Sequence, residues 1–205
     1  MSDRLQFDPV AHVYSVDGLR VPSVTGILKA TGFGGDYAAI PVAVLEAARQ
    51  RGIAVHGFCE QIDRGEQPVV LAKLQPYVDA YEQCRAETRL EVIETEQAVF
   101  HPEMLYAGRF DLVAWVNGAR ALIDRKVVAT IEHLAVAVQT AAYAGARNAM
   151  LPQEPVEALY SLHLRQDGSY RLEEYNMAEC WEMFRSCHAL YRHRQSFKKG
   201  RRDGR

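Results

Sequence analysis

Long apolar runs are missing from this chain. No stretch approaches the roughly 18 residues needed to span a bilayer. The opening, MSDRLQFDPV, is charged and polar and lacks the pattern of a signal peptide. The expectation is a cytoplasmic protein with no membrane partner. Cysteine is also sparse: Cys59, Cys84, Cys180 and Cys187 form no C-x-x-C pair. Their spacing argues against an iron–sulfur or zinc site and for reduced thiols. No internal repeat is visible, so the chain is not a repeat array.

What is present suits one domain, or one domain with a helical elaboration. The 205 residues are 48% hydrophobic, enough for a real core. The net charge of −2 is unevenly spread. From Arg192 to the end there are seven Lys or Arg and one acidic residue, which leaves 17 basic and 25 acidic residues elsewhere. A basic tail on an acidic body is compatible with phosphate contact. Taken alone, it favours a disordered solubilising segment, native or appended.

Residues 7–21 read as a small hairpin turning at Asp17-Gly18. Ser23 then caps a short helix over 23–31, and TGFGGD (31–36) reads as a loop. A longer helix runs from Pro41 to Arg64, with Gly52 inside it as a mark of close backbone approach or of a break. Leu74, Tyr77, Val78 and Tyr81 share a helical face over 71–89, where Pro76 argues for a kink or for a start nearer 75. Strand-like runs follow at 91–100, 106–116 and 119–128. An alanine-rich helix spans His133 to Met150, two strands lie at 156–165 and 170–175, and a last helix at 177–195. This order predicts an α/β fold with a mixed central sheet, flanked by helices. The expected organisation is a single domain over 1–195, with a disordered basic tail at 196–205. Within the domain, 1–89 hold the hairpin and helices, with the helices covering one side of the sheet. Residues 90–175 form the core sheet and helix, and 176–195 the last helix.

The chemistry gathers in YAGRFDLVAWVNGARALIDRK (106–126). Asn117-Gly118 is a two-residue hairpin turn, which puts Asp111 directly opposite Asp124. Facing carboxylates about 4.5–5.5 Å apart at Cβ repel one another, and a divalent cation is the simplest compensation. Alternation puts Phe110, Leu112, Ala114, Ala121 and Ile123 on an apolar face. Arg109, Asp111, Trp115, Arg120, Asp124 and Lys126 lie on the other. The hairpin alone leaves two readings open: a metal site, or a solvated sheet face with Asp–Arg and Asp–Lys ion pairs. Further candidates lie outside it. Gln139 and Tyr143 share one helical face. His56 sits in RGIAVHGFCE, with Glu60 one turn on, and Glu96 lies on the preceding strand.

RGIAVH with His56, AGRFD with Asp111, IDRK with Asp124 and Lys126, and QTAAY with Gln139 and Tyr143 occur in that order. The series resembles the PD-(D/E)XK nuclease superfamily, specifically its RecB-type branch, and spans about residues 51–143. VPSVTGIL also resembles the start of phage-encoded members. The resemblance implies a restriction-endonuclease-like fold with an N-terminal helical elaboration. It implies a DNA nuclease, expected as an exonuclease in phage or bacterial recombination or repair. Mg²⁺ or Mn²⁺ would be held by His56, Asp111, Asp124 and the Arg125 carbonyl. Lys126 would act with Asp111 and Asp124 in catalysis, and Gln139 and Tyr143 would contact DNA or support the site. The imidazole shifts preference toward Mn²⁺. Glu96 and Glu60 are weaker candidates for a supporting role. Because the superfamily includes toroidal exonucleases, a homo-oligomer or a recombination partner protein joins DNA as an expected partner.

The sequence departs from the family pattern in three ways. Asp124 stands where Glu is commoner, and the branch's iron–sulfur cysteine cluster is missing. Arg125 points its side chain toward the apolar face, where no partner for it is evident. The competing functions are an inactive nucleic-acid-binding module of the same fold, a non-nuclease hydrolase using the two aspartates, and a structural protein with surface ion pairs.

Overall fold

The computed structural model describes residues 4–33 and 40–200, with side chains through Phe197. The chain begins with three short antiparallel strands, β1 (Leu5–Asp8), β2 (Val13–Val16) and β3 (Leu19–Val21). The expected turn at Asp17-Gly18 joins β2 to β3, and both residues have positive φ (51° and 78°), as a tight primed turn requires. Helix α1 (Val24–Thr31) follows, with Ser23 Oγ accepting from the Gly26 N–H at 3.0 Å as its N-cap. Of the loop expected at 31–36, Thr31 ends α1 and residues 34–36 lie outside the described residues.

Helix α2 (Val42–Asp63) and helix α3 (Gln75–Thr88) come next. Pro76 sits in the first turn of α3, where its missing N–H costs nothing. Gly52 marks neither a break nor a close approach. Helix α2 runs through it, and a Cβ there would meet nothing within 4 Å. Strands β4 (Glu91–His101), β5 (Tyr106–Val116) and β6 (Ala119–Lys126), helix α4 (His133–Met150), strands β7 (Ala158–Leu164) and β8 (Tyr170–Tyr175), and helix α5 (Met177–Gly200) complete the chain. Residues 196–200, expected as part of a disordered tail, therefore continue the last helix, while 201–205 lie outside the described residues.

The five long strands form one sheet in the order β4-β5-β6-β7-β8. Only β6 and β7 are parallel, joined by the crossover helix α4, so the sheet is mixed as the element order predicts. Asn117 (φ 50°) and Gly118 (φ 87°) make the β5–β6 turn.

Both faces of the sheet are covered. On one, Val24 and Ile27 of α1 and Phe184 of α5 pack with Val138 and Ala142 of α4 against Phe110, Val113 and Leu122. On the other, Val55 and Cys59 of α2 and Tyr77 and Tyr81 of α3 cover Leu112, Ala114, Ile123 and Leu162. Two expectations are corrected here. The N-terminal helices do not share one side, because α1 joins α4 and α5. Phe110 packs with Val113 and Leu122 rather than with Leu112 and Ala114, so the charged face of the hairpin is itself a core layer over most of its length. No helix among the described residues is long and apolar enough to cross a membrane.

Helices α4 and α5 approach closely because Gly145 has no side chain. A Cβ there would lie 2.2 Å from Trp181 Cζ3, and the Trp181 ring is already stacked on His101 and Phe184. Gly145→Ala gains about 1 kcal/mol of helix propensity but overpacks the contact, at a cost of about 1–3 kcal/mol. A net loss of about 1 kcal/mol is expected in urea denaturation. A midpoint at or above the wild-type value would show that the helices separate freely.

Candidate active site

The register of the central hairpin is as the turn predicts from Leu112–Ile123 to Val116–Ala119, but the ladder ends there. Asp111 and Asp124 do not pair as facing residues. Instead Asp111 Oδ2 accepts the backbone N–H of Arg125 at 2.7 Å. The two strands diverge just before the carboxylates, which opens the sheet where the charges collect. The two aspartates still sense each other. Burial raises the Asp124 pKa, Lys126 opposes this, and the Asp111 charge adds to the rise.

Strand β4 is irregular at the same level. Its pairing with β5 shifts register between Val92 and Glu94. Glu96 adopts a left-handed φ of 51°, at a cost of about 1–2 kcal/mol for a residue with a Cβ. This twist brings the Glu96 carboxylate to the site, where it meets three cations. Its Oε2 lies 2.9 Å from Arg109 Nε, and its Oε1 lies 3.5 Å from Arg125 Nη2 and 3.9 Å from His56 Nδ1.

His56 arrives from α2. Its Nδ1 is 3.6 Å from Asp111 Oδ1. One donor atom each from His56, Glu96 and Asp111 falls within 4.8 Å of the others. Burial by itself would lower the His56 pKa, but the Asp111 and Glu96 carboxylates outweigh it and raise it to about 9. Burial works to raise the Asp111 carboxyl, yet His56, Arg125 and Lys126 together hold it below the usual range. The imidazolium and the Asp111 carboxylate thus stabilise each other's charged forms.

Asp124 and Lys126 extend the site along β6. Asp124 is 3% exposed, and Lys126 Nζ lies 2.6 Å from its Oδ2. The Asp–Lys ion pair of the solvated-face reading therefore exists, but its Asp124 end is buried and only the Lys126 end reaches solvent. From α4, Gln139 Nε2 donates to the Tyr143 hydroxyl at 3.0 Å. Tyr143 lies over β5 because residue 108 is glycine, where a Cβ would sit 2.4 Å from Tyr143 Cε1. The G-x-x-D spacing thus has a packing cause as well as a chemical one. Glu60 does not join the cluster; its carboxylate pairs with Arg64 at 2.5 Å.

Arg125 finds its partner beneath the sheet. It is fully buried, with Nη1 2.8 Å from Asp63 Oδ2 and its guanidinium over the Tyr81 ring at 5.5 Å. Nη2 also donates to the Asp111 carbonyl at 3.3 Å. Tyr81 donates its hydroxyl to the other oxygen of Asp63. Sequence reading missed Asp63 and underrated Glu96. Asp63 was within reach, since it lies seven residues after His56 on the same face of α2. Glu96 was already a candidate, but strand alternation cannot foresee the left-handed residue that turns it into the cluster.

No protein-family model matches the sequence, and no curated protein matches it. Among solved structures, the chain is similar to an alkaline exonuclease (LHK-Exo) from Laribacter hongkongensis, at 14% identity and a TM-score of 0.41, over 89% of this chain and 93% of that one. It is similar to LHK-Exo in complex with dAMP at 15% identity and a TM-score of 0.40, over 90% and 94% of the two chains.

The Asp63–Arg125 pair invites a direct measurement. Removing one partner strands the other charge in the core, which costs about 3–5 kcal/mol. Arg125→Met should lose that much stability in urea denaturation. The double variant Asp63→Leu/Arg125→Met should lose less than the single change. Additive losses would show that the two side chains do not interact.

Proposed function

We propose that this protein is a divalent-metal-dependent deoxyribonuclease of the PD-(D/E)XK type. The reading rests on one observation above all. His56, Glu96 and Asp111 come from three separate elements, yet their donor atoms meet within 4.8 Å beside the ion pair of buried Asp124 with the partly exposed Lys126.

The donor set suits a hard cation. Carboxylate oxygens and one imidazole match Mg²⁺ or Mn²⁺, with the imidazole favouring Mn²⁺. Bonds of about 2.1 Å in an octahedral site put donors between about 3 Å (adjacent) and about 4 Å (opposite) apart. The separations of 3.6 and 3.9 Å from His56 Nδ1 are of that size. Asp124 Oδ2 is sealed from solvent, with the Lys126 ammonium beside it. We assign His56, Asp111, Asp124 and the Arg125 carbonyl as ligands, and add Glu96. A bound divalent ion supplies charge neutralisation at the phosphate and a more acidic water.

The protein's own groups do the rest. Lys126, held against Asp124, is placed to stabilise charge developing on the scissile phosphate or to orient the attacking water. Gln139 and Tyr143, joined by their own hydrogen bond, face the strand carrying Asp111 and would position the DNA backbone. Arg125 holds the Asp111 carbonyl and Glu96 from below, which limits their drift when a substrate enters. The RecB-type branch, exonuclease action and a recombination or repair role follow from the sequence resemblance.

End-labelled linear DNA with Mg²⁺ or Mn²⁺ tests the proposal. Wild type should release short products from the ends. Asp111→Asn, Asp124→Asn and Lys126→Ala should each abolish cleavage while keeping the wild-type circular dichroism spectrum. Cleavage that persists in Asp124→Asn would sink the assignment. His56→Ala and Glu96→Gln should each weaken Mn²⁺ binding in calorimetry by about tenfold or more, and unchanged affinity in both would remove them from the ligand set.

A further inference from the structure

Where α2 and α3 meet the ends of β6 and β7, a cavity of about 450 Å³ remains that the proposed reaction does not use. Arg51 of α2, Tyr77 of α3 and His163 of β7 line it, with Arg165 and Asp167 of the β7–β8 turn. Val128 borders both this cavity and the cleft that holds Lys126 and Gln139. The segment after β6 therefore stands between the two. The volume lies in the range of small-molecule pockets, about 300–1,000 Å³.

The charges around the cavity do not balance. Two guanidiniums line it, and neither Arg51 nor Arg165 makes an ion pair among the described residues. Arg51 Nε is buried and has no hydrogen-bond partner among them. A buried N–H without an acceptor destabilises the fold until an oxygen meets it. Asp167 is the one acidic residue on the lining, and it is already engaged. Its Oδ1 accepts from the Ser169 N–H at 2.9 Å and from the Ser169 hydroxyl at 2.6 Å. Those bonds hold its carboxyl below the usual range, with a smaller effect from the Arg165 charge.

The walls are fixed without a ligand. His163 Nε2 donates to the Val128 carbonyl at 2.7 Å, which ties the segment after β6 to β7. In the β7–β8 turn, the Arg165 N–H donates to the Ser169 carbonyl at 3.0 Å and the Gly168 N–H to the Arg165 carbonyl at 3.2 Å. The turn lies against Pro76 at the start of α3, since a Cβ on Gly168 would be 3.9 Å from Pro76 Cβ. A cavity already open and braced loses little freedom when it is filled.

We propose that this cavity binds a phosphate group, with Arg51 meeting it from α2 and Arg165 from the β7–β8 turn. A carboxylate has two coplanar oxygens, which a single guanidinium satisfies. A phosphate offers oxygens in several directions, so forks from two different elements can each take one. The site is separate from the metal cluster and rests on neither the metal nor the nuclease reading. Its phosphate is borne by a free small anion or by a DNA strand. The two share one chemistry, and binding measurements separate them.

The test titrates inorganic phosphate into the full chain, kept metal-free with a chelator at low ionic strength. Calorimetry and the thermal unfolding midpoint report binding. Wild type should bind saturably and gain stability. Arg51→Gln and Arg165→Gln should each weaken phosphate by about tenfold or more. Lys126→Ala, in the neighbouring cleft, should bind as wild type does. Arg165 sits in a turn, so its variant stays informative if Arg51→Gln fails to fold. Absence of saturable binding to wild type would overturn the proposal, as would unchanged affinity in both arginine variants. So would a loss confined to Lys126→Ala, which would put the anion at the catalytic cluster. A short DNA duplex titrated in the same buffer identifies the source. Arginine variants that lose phosphate but keep wild-type DNA affinity assign the site to a free anion; proportional losses of both assign it to the DNA strand. If DNA is never cleaved while phosphate binds as expected, the nuclease reading falls and this site stands.

Discussion

The arrangement of charged groups depends on one buried ion pair, Asp63 with Arg125. Both side chains are fully shielded from water, where two well-packed apolar residues would often serve stability as well or better. What the pair supplies is position. It fastens the last turn of α2 to the strand that carries Asp124 and Lys126. His56 lies two turns earlier on the same helix, so its place over Asp111 follows from that attachment. The other guanidinium contacts reach the Asp111 carbonyl and Glu96. One cation therefore holds groups from α2, β4 and β5 at once, from the side of the sheet away from the opening.

The sheet is least regular where the charges gather. The β4–β5 register shifts before Glu94, Glu96 turns left-handed, and the β5–β6 ladder stops short of the two aspartates. A regular sheet would point these carboxylates into α4 and the apolar layer beneath it. Each departure loses some pairing and turns an oxygen toward a common space. Departures of this kind cluster at functional sites because the surrounding core is rigid enough to hold them. Here that rigidity comes from the two apolar layers, which grip Val113, Leu122 and Ile123 without solvent exposure.

Most of the secondary structure was legible in the sequence, because it rests on local signals. Asn117-Gly118 set a turn, Ser23 a cap, and Pro76 a helix start, and each acts over a few residues. The mixed sheet also followed from element order, since a helix between β6 and β7 permits a parallel pair. Long-range choices were harder to read. Strand alternation assigned Phe110 to the wrong layer because the strand does not alternate evenly through Asp111. The partner of Arg125 lay 62 positions away, on the face of α2 that His56 marks, but nothing local ties that face to this strand. The extent of α5 was misjudged for another reason. A basic, polar end reads as disorder by composition, whereas a helix already docked can carry such a sequence through further turns.

The contact between Gly108 and the Tyr143 ring also has a consequence for how this site can vary. Strand and helix touch there with no intervening side chain, so the gap between Asp111 and Gln139 is set by the absence of a methyl group. Any replacement at residue 108 acts as a spacer, and the displacement is delivered to both members of the Gln139–Tyr143 pair together. Substitutions on α4 can then tune what that pair grips only while the strand beneath stays bare. The smallest side chain near the site thus constrains how the larger ones can diverge.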